Sequence, residues 1–576
     1  MLLINPAQEK FGGFLSRYVP VGIPVALGCL AAALTKAGVA VKVVDEEITE
    51  VTPSRLRELV AGLEKPYVFG ISCLTAHVVR GYALAKMLRR EFPDCTIVFG
   101  GLHPTSLPGE ALAHPEVDYV VRGEGEDTVV KLYRALRGDG DPRDLPGLSF
   151  RRDGEVVHNP DAALIPELDD IPLFPYELFA HPKYDMGFIT TSRGCPYACT
   201  YCSQRMLTGT TYRYKSAQRI VEEVSLLADR YGQKAIVFYD DNFCFKKRRV
   251  LEVCDALIAA GLHQRVEFSI QTRADNFHAD IVPRMAAAGF KHVGFGMETG
   301  VDRLADLIAK DETVQQHLDA VAVAKRYGME VSLFMIYGLP TETRADREAT
   351  YDLVQGQKVQ ASKYNNLIPY PGTPIFEDLK KTDRLRIAPG WSNFNSTLSV
   401  TRSIFDRTPL PYVPETTSEW ELKRDIVRYN FRTYLKAEAV KGILLGRKGP
   451  GWYKLPRRWY LRPRELFHVT RIGFNALVNL TVANLPLRVT EPVMNALNPA
   501  MRERPRVRGY TSAQYRPTGW SLEQARARSF ALNQAKHARK SGGAGILPLS
   551  ALQRRARPPV AAASPTGVTP PLSGEE

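Results

Sequence analysis

The sequence predicts an α/β protein: a doubly wound, Rossmann-like sheet, then a partial (β/α)6 barrel, then a mostly helical extension. Short apolar strands alternate with amphipathic helices over residues 1–140, a pattern of parallel sheets covered by helices on both faces. The alternation resumes at residue 186 and passes through six strand–helix units by residue 376, enough for an open barrel. Beyond 376 the clearest periodicity is helical. A chain of 576 residues exceeds one ordinary core and divides into domains.

In the first segment, residues 2–5, 39–45, 67–73, 96–99 and 118–121 read as strands. Residues 24–37, 76–92 and 128–136 read as helices, the first stopped at Gly38. Ligands of such sheets sit at the carboxyl ends of the strands. Those ends carry Ser72, then Gly100-Gly101-Leu102-His103-Pro104, then Gly123-Glu124-Gly125. Small residues there let a large ligand approach the backbone. A flavodoxin-like sheet with another ligand, or none, fits the same pattern. Residues 141–185 read as a connector. Asp153-Gly154 signals a hairpin, and Pro160, Pro166, Pro172 and Pro175 keep the chain after it extended.

In the second segment, strands are expected at 186–191, 234–240, 265–271, 291–297, 329–337 and 364–369, with helices at 217–231, 248–260, 280–288, 314–327 and 345–357. Barrel enzymes place catalytic groups at the C-terminal strand ends. Here these stretches hold Asp240-Asp241, Ser269 to Arg273, Glu298, and Ile336-Tyr337-Gly338. The first strand runs into Arg193-Gly194-Cys195-Pro196-Tyr197-Ala198-Cys199-Thr200-Tyr201-Cys202. Three thiolates can hold three irons of a [4Fe–4S] cube and leave the fourth iron open, whereas such clusters ordinarily take four cysteines. A zinc site or packed core thiols are the other readings. His181 stands outside zinc-ligand spacing, and Gly, Pro and two Tyr are unusual company for core thiols. Cys244 and Cys254 read as packed thiols.

C-x3-C-x2-C with an aromatic residue, Tyr201, before its last cysteine resembles the signature of the radical S-adenosylmethionine (SAM) superfamily. The strand-end motifs extend that resemblance through the barrel. The N-terminal sheet resembles the cobalamin-binding domain found in front of many such enzymes. The D-x-H-x-x-G motif, whose His ligates cobalt in other cobalamin proteins, is absent: the loop after the first strand reads Asn5-Pro6-Ala7-Gln8-Glu9-Lys10. The resemblance implies a cobalamin-binding domain at 1–140, a connector at 141–185, a radical SAM core at 186–376, a helical basic region at 377–540 and a disordered tail at 541–576. It also implies three cofactors. A [4Fe–4S] cluster would sit on Cys195, Cys199 and Cys202, with SAM on the open iron. Cobalamin would lie against Ser72, Gly100, Gly101, His103, Pro104, Gly123, Glu124 and Gly125, His103 at the rim rather than on cobalt.

By the same resemblance, Ser269 and Arg273 would hold the SAM carboxylate, and Glu298 the ribose or amino group. Asp240 and Asp241 would stand near the amino group. Tyr201 and Ile336 to Gly338 would pack the adenine, and Tyr370 or Tyr337 would face the substrate. Reductive cleavage of SAM would give a 5′-deoxyadenosyl radical, and methylcobalamin would methylate an unactivated carbon of a small-molecule or lipid substrate. Ring-forming enzymes of the anaerobic porphyrin cyclase type share the layout. A non-catalytic cobalamin or iron–sulfur sensor would share the binding motifs. The catalytic readings need a one-electron donor such as flavodoxin or ferredoxin.

Composition sets the setting. With 44% hydrophobic and 24% charged residues the chain is ordinary for a soluble protein. Its eight cysteines form no secreted disulfide pattern, which fits a reducing cytoplasm. The start, Met-Leu-Leu-Ile-Asn-Pro, reads as a strand and not a signal peptide. Residues 441–576 carry 23 Lys and Arg against six Glu, a net +17, which leaves −3 on the rest. Residues 420–435 read as an amphipathic helix, and residues 450–466 are basic and aromatic. The apolar residues 472–487 are too short to span a bilayer. This region reads equally as a membrane-touching segment or a helical cap over the barrel; nucleic acid is the less expected partner.

Overall fold

The computed structural model describes residues 1–7, 21–382, 384–395, 404–434 and 462–498, together with 521, 524, 525, 527 and 531. The basic–aromatic stretch from 450 to 461 and the tail from 541 lie outside the described residues.

The first sheet contains β1 (Leu2–Asn5), β2 (Lys42–Asp45), β3 (Val68–Ser72), β4 (Thr96–Gly100), β5 (Tyr119–Val121), β6 (Leu148–Arg152) and β7 (Glu155–His158), in the order β2-β1-β3-β4-β5-β6-β7. Strands β1 to β5 are parallel. Helices Val25–Lys36, Val78–Glu91 and Glu126–Ala135 bury apolar faces against this sheet. The hairpin expected inside a connector instead extends the sheet, with β6 antiparallel to β5 from Val121↔Leu148 to Tyr119↔Phe150. It covers what would otherwise be an open strand edge.

The second sheet runs β8 (Phe188–Ile189), β9 (Ala235–Phe238), β10 (Glu267–Thr272), β11 (Phe290–Glu298), β12 (Glu330–Tyr337) and β13 (Ala361–Asn366), in that order and all parallel. Alternation sets its two faces. Phe268, Ile270, Val293, Phe295, Val331 and Leu333 join the core beneath the helices Ala217–Tyr231, Lys247–Ala259 and Val314–Arg326. The opposite face looks into the barrel with Ser269, Gln271, His292, Ser332 and Phe334, and the His292 imidazole lies 2.7 Å from the Ser332 hydroxyl.

Helix Glu419–Tyr434 closes the outer edge of β13. Asn430 accepts from Tyr364 N (3.1 Å) and donates to Tyr364 O (2.7 Å), a side-chain substitute for a further strand. The buried Arg347 guanidinium pairs with Asp425 of this helix at 2.9 Å. Helices Pro463–Asn484 and Leu487–Leu497 follow, and Trp420 donates to Thr490 at 3.0 Å. No helix among the described residues is long and apolar enough to cross a membrane.

Candidate active site

The cysteine loop leaves β8 and is pinned from four directions. Asp240, fully buried after β9, accepts from Thr191 N (2.6 Å), Thr191 Oγ1 (2.5 Å), Ser192 N (3.0 Å) and Ser192 Oγ (2.7 Å), with Arg249 at 3.6 Å. The parallel strand β8 therefore ends at Ile189, because Thr191 N and Ser192 N bond the Asp240 side chain and Ser192–Arg193 pairs antiparallel with Arg213–Tyr214. Gly194 turns the chain at φ 87°, and a Cβ there would meet Thr211 O at 2.1 Å. Thr200 bonds Ile308 O through both N (2.9 Å) and Oγ1 (3.2 Å). Tyr197 lies face-on to the Arg273 guanidinium, 3.7 Å from its ring centre. We expect Gly194→Ala to displace the loop and to lower iron uptake on anaerobic reconstitution severalfold while the folded protein persists. Iron per chain measures it.

Cys199 is buried, and Cys195 and Cys202 are half-buried. Burial pushes the Cys195 and Cys202 thiols up to about 12, and both feel Cys199 electrostatically. The three thiols are therefore mutual neighbours, yet among the described residues no three Cys, His, Asp or Glu converge tightly enough for one metal ion. Three neighbouring thiols on one loop suit a multi-iron group that takes one thiolate per iron. Its charge also matches. Arg273 Nη1 lies 3.6 Å from Cys199 Sγ and sets a cation beside an anionic cluster.

Behind the loop runs a buried ionic chain. Tyr201 donates to Glu298 (2.7 Å). Lys310 bridges Glu298 (3.4 Å) and Glu312 (3.2 Å). Glu312 in turn faces Arg273 (3.6 Å), which also pairs with Asp275 (3.0 Å). Burial works against ionising Glu312, but Arg273, Lys310 and His317 together pull its carboxyl down to about 2. Glu298 holds φ 63°, a strained value for a non-glycine residue, so its position is over-determined by this chain. Lys310 and Glu312 escaped the sequence reading. Lys310-Asp311-Glu312 looks there like an ordinary polar helix approach.

A cavity of about 310 Å³ opens between the first sheet and the cysteine loop. Ser72, Gly100, Gly101, Gly123, Glu124 and Gly125 line one side, and Ser192, Arg193, Gln204, Leu207, Tyr239 and Asp241 the other. A Cβ on Gly100 or Gly123 would meet nothing closer than 3.6 Å, so both present open backbone. The inner end is apolar, with Leu3, Leu27, Leu30, Val98 and Val121. Glycine ends over an apolar slot fit a large, partly apolar cofactor such as cobalamin. Burial and the adjacent Asp240 raise the Asp241 carboxyl to about 6.

Family-model comparison matches residues 189–354 to the radical SAM superfamily and residues 15–133 to the B12 binding domain. An uncharacterized methyltransferase of Pyrococcus horikoshii is 32% identical over 384 residues, 66% of this chain and 82% of that protein. The chain belongs to the cobalamin-binding radical SAM enzymes. The anaerobic magnesium-protoporphyrin IX monomethyl ester cyclase of Cereibacter sphaeroides is 24% identical over 81% of the enzyme and 78% of the cyclase. Among solved structures, the radical SAM methyltransferase TsrM of Kitasatospora setae shares the fold. It has a TM-score of 0.57 and 17% identity, and the match covers 94% of the enzyme and 99% of TsrM.

Several residues expected at cofactors have other structural duties. Asp240 spends its carboxylate on the loop. Glu124 is clamped by Arg213 (2.7 Å) and Arg193 (3.2 Å), and Glu126 holds Arg193 at 2.6 Å. His103 and Pro104 are buried off the cavity. The His103 ring meets Trp391 edge-on at 5.3 Å and lies 3.3 Å from Thr75 Oγ1. Gly338 packs under Leu422, whose Cδ2 is 2.8 Å from where a Cβ would stand. Tyr337 faces outward, donating to Arg347 O at 2.9 Å, so it does not face a substrate in the barrel. Ser269 pairs with His292 near the start of the strands, about 13 Å of extended chain before Arg273. Tyr201, Arg273, Glu298, Ile336 and Asp241 remain near the cysteine side. Cys244 and Cys254 are core residues, as expected.

Proposed function

We propose that this enzyme transfers a methyl group derived from SAM, by way of cobalamin, to a carbon atom of its substrate. The observation that carries this reading is the shared wall of one cavity. Arg193 and Ser192, which lead into the cysteines, line the same space as the glycine strand ends of the first sheet. A B12-borne methyl group and a SAM-derived oxidant both need access to one carbon. When bound, the cluster and SAM supply one-electron chemistry, and cobalamin supplies the methyl group.

The chain's own residues set the stage. Arg273 and Lys310 hold positive charge beside the cysteines. Glu298 and Tyr201 offer a carboxylate and a hydroxyl to a polar, cationic cofactor. Asp240 fixes the loop and takes no part in the exchange. A one-electron donor of the flavodoxin or ferredoxin kind completes the cycle. Reconstituted enzyme given SAM deuterated in its methyl group should pass that label to product. Release of 5′-deoxyadenosine with no label in product would favour the ring-forming chemistry of its cyclase relatives.

The C-terminal helices support contact with a membrane surface. Phe467, Phe474 and Leu477 are 65%, 65% and 63% exposed, and Val489, Val493 and Leu497 continue the apolar face. Arg462, Arg464, Arg471 and Arg488 accompany them. We expect co-sedimentation with phosphatidylglycerol vesicles that weakens severalfold in 0.5 M salt and in the Phe474→Ser, Leu477→Ser double variant.

A further inference from the structure

We propose that the barrel lumen takes the anionic group of a polar substrate on Lys363, with a hydrogen-bond donor of that substrate on Asn365 and its apolar part on Phe334. This names a substrate class for the reading above and rests on it.

Strand β13 shows which way these side chains point. The Ser362 hydroxyl lies 3.2 Å from Thr433 Oγ1, and Tyr364 packs on Asn430 and Tyr429, so both face the closing helix. Lys363 and Asn365 alternate with them and face the lumen. The register sets Lys363 opposite Phe334 and Asn365 opposite Ile336. Phe334 lies opposite Gly296, two residues short of Glu298. A register shift after Gly296 sets Glu298 opposite Met335, so Lys363 stands one residue, about 3 Å, deeper than Glu298.

The cations around the cysteines are already paired: Arg273 with Asp275 and Glu312, and Lys310 with Glu298 and Glu312. Lys363 has no ion pair or hydrogen bond among the described residues, though it is only partly exposed. Burial holds its pKa below the usual lysine range. The Asn365 Oδ1 atom is buried without a partner. A desolvated ammonium beside an unfilled acceptor is costly unless a ligand completes both. Gly294 makes room for the Phe334 ring, which lies over it. A Cβ there would come within 2.9 Å of the Phe334 ring. Gln271, His292 and Ser332 line the deeper lumen, a polar interior unsuited to a neutral lipid.

The test uses the full-length reconstituted enzyme with SAM and two isosteric probes, 3-phenylpropionate and 3-phenylpropionamide. Reductive methylation of Lys363, followed by peptide mass spectrometry, should slow severalfold with the carboxylate and not with the amide. Lys363→Met should weaken carboxylate binding by about tenfold or more, and Lys363→Arg should retain it. Equal protection by both probes, or by neither, overturns the proposal. A second arm gives methyl-deuterated SAM and a cell metabolite extract to the enzyme. Label in an anion-exchange-retained product supports the assignment. Label only in neutral products overturns it and leaves methyl transfer standing. Absence of label from every fraction, with the probe result intact, counts against methyl transfer instead.

Discussion

Cys199→Ala protein should release 5′-deoxyadenosine from SAM at less than about one-thousandth of the wild-type rate, a loss of ~4 kcal/mol or more in barrier lowering. The expectation follows from position. Cys199 is the buried member of the three, held beside Arg273 by a loop that Asp240, Gly194 and Thr200 fix in place. Two remaining thiols cannot hold a cube with one open iron. Cys254→Ala is the matched control. Cys254 lies in the core against Val250 and Leu257, so its loss should lower stability by about 1 kcal/mol and leave product release unchanged. Iron content and 5′-deoxyadenosine by mass spectrometry read both variants.

The second large effect is on the junction of sheet and barrel. Glu124→Ala should destabilise the protein by ~3 kcal/mol, because it leaves Arg213 and part of Arg193 buried without their anion. Asp127→Asn, on the neighbouring helix, removes only an exposed pair with Lys131 and should cost less than about 0.5 kcal/mol. Urea denaturation compares the two. Glu124→Ala should also weaken cobalamin retention, since Glu124 and Arg193 both line the cavity.

The scaffold was legible because its signals are local. Period-two apolar strands and 3.6-period helices placed both sheets, and cysteine spacing with Tyr201 marked the loop. Expected and observed strands differ at β8, where the Asp240 side chain takes Thr191 N and Ser192 N, and at β13, which starts three residues earlier, at Ala361. The site was only partly legible because its pairings are distant in sequence. An acidic pair after a strand looks alike whether it serves a ligand or a loop, so nothing local separates Asp240, which brackets Thr191, from Asp241, which faces the cavity. Glu124 reads as part of a glycine-rich strand end until Arg193 and Arg213 fold onto it. Gly338 reads as room for a ligand until Leu422 fills that room. Lys310 and Glu312 carry no motif; only the fold brings them between Glu298 and Arg273. The hairpin at Asp153-Gly154 was visible, but its attachment to β5 was not, because register across a sheet edge has no local signature.

Electron paramagnetic resonance of the reduced, reconstituted enzyme, recorded without and with SAM, decides whether the cluster has an open iron. About four irons per chain on three cysteines are expected, with a reduced-cluster signal that shifts when SAM is added. A four-iron signal indifferent to saturating SAM would contradict this, because the cluster would then have no open iron.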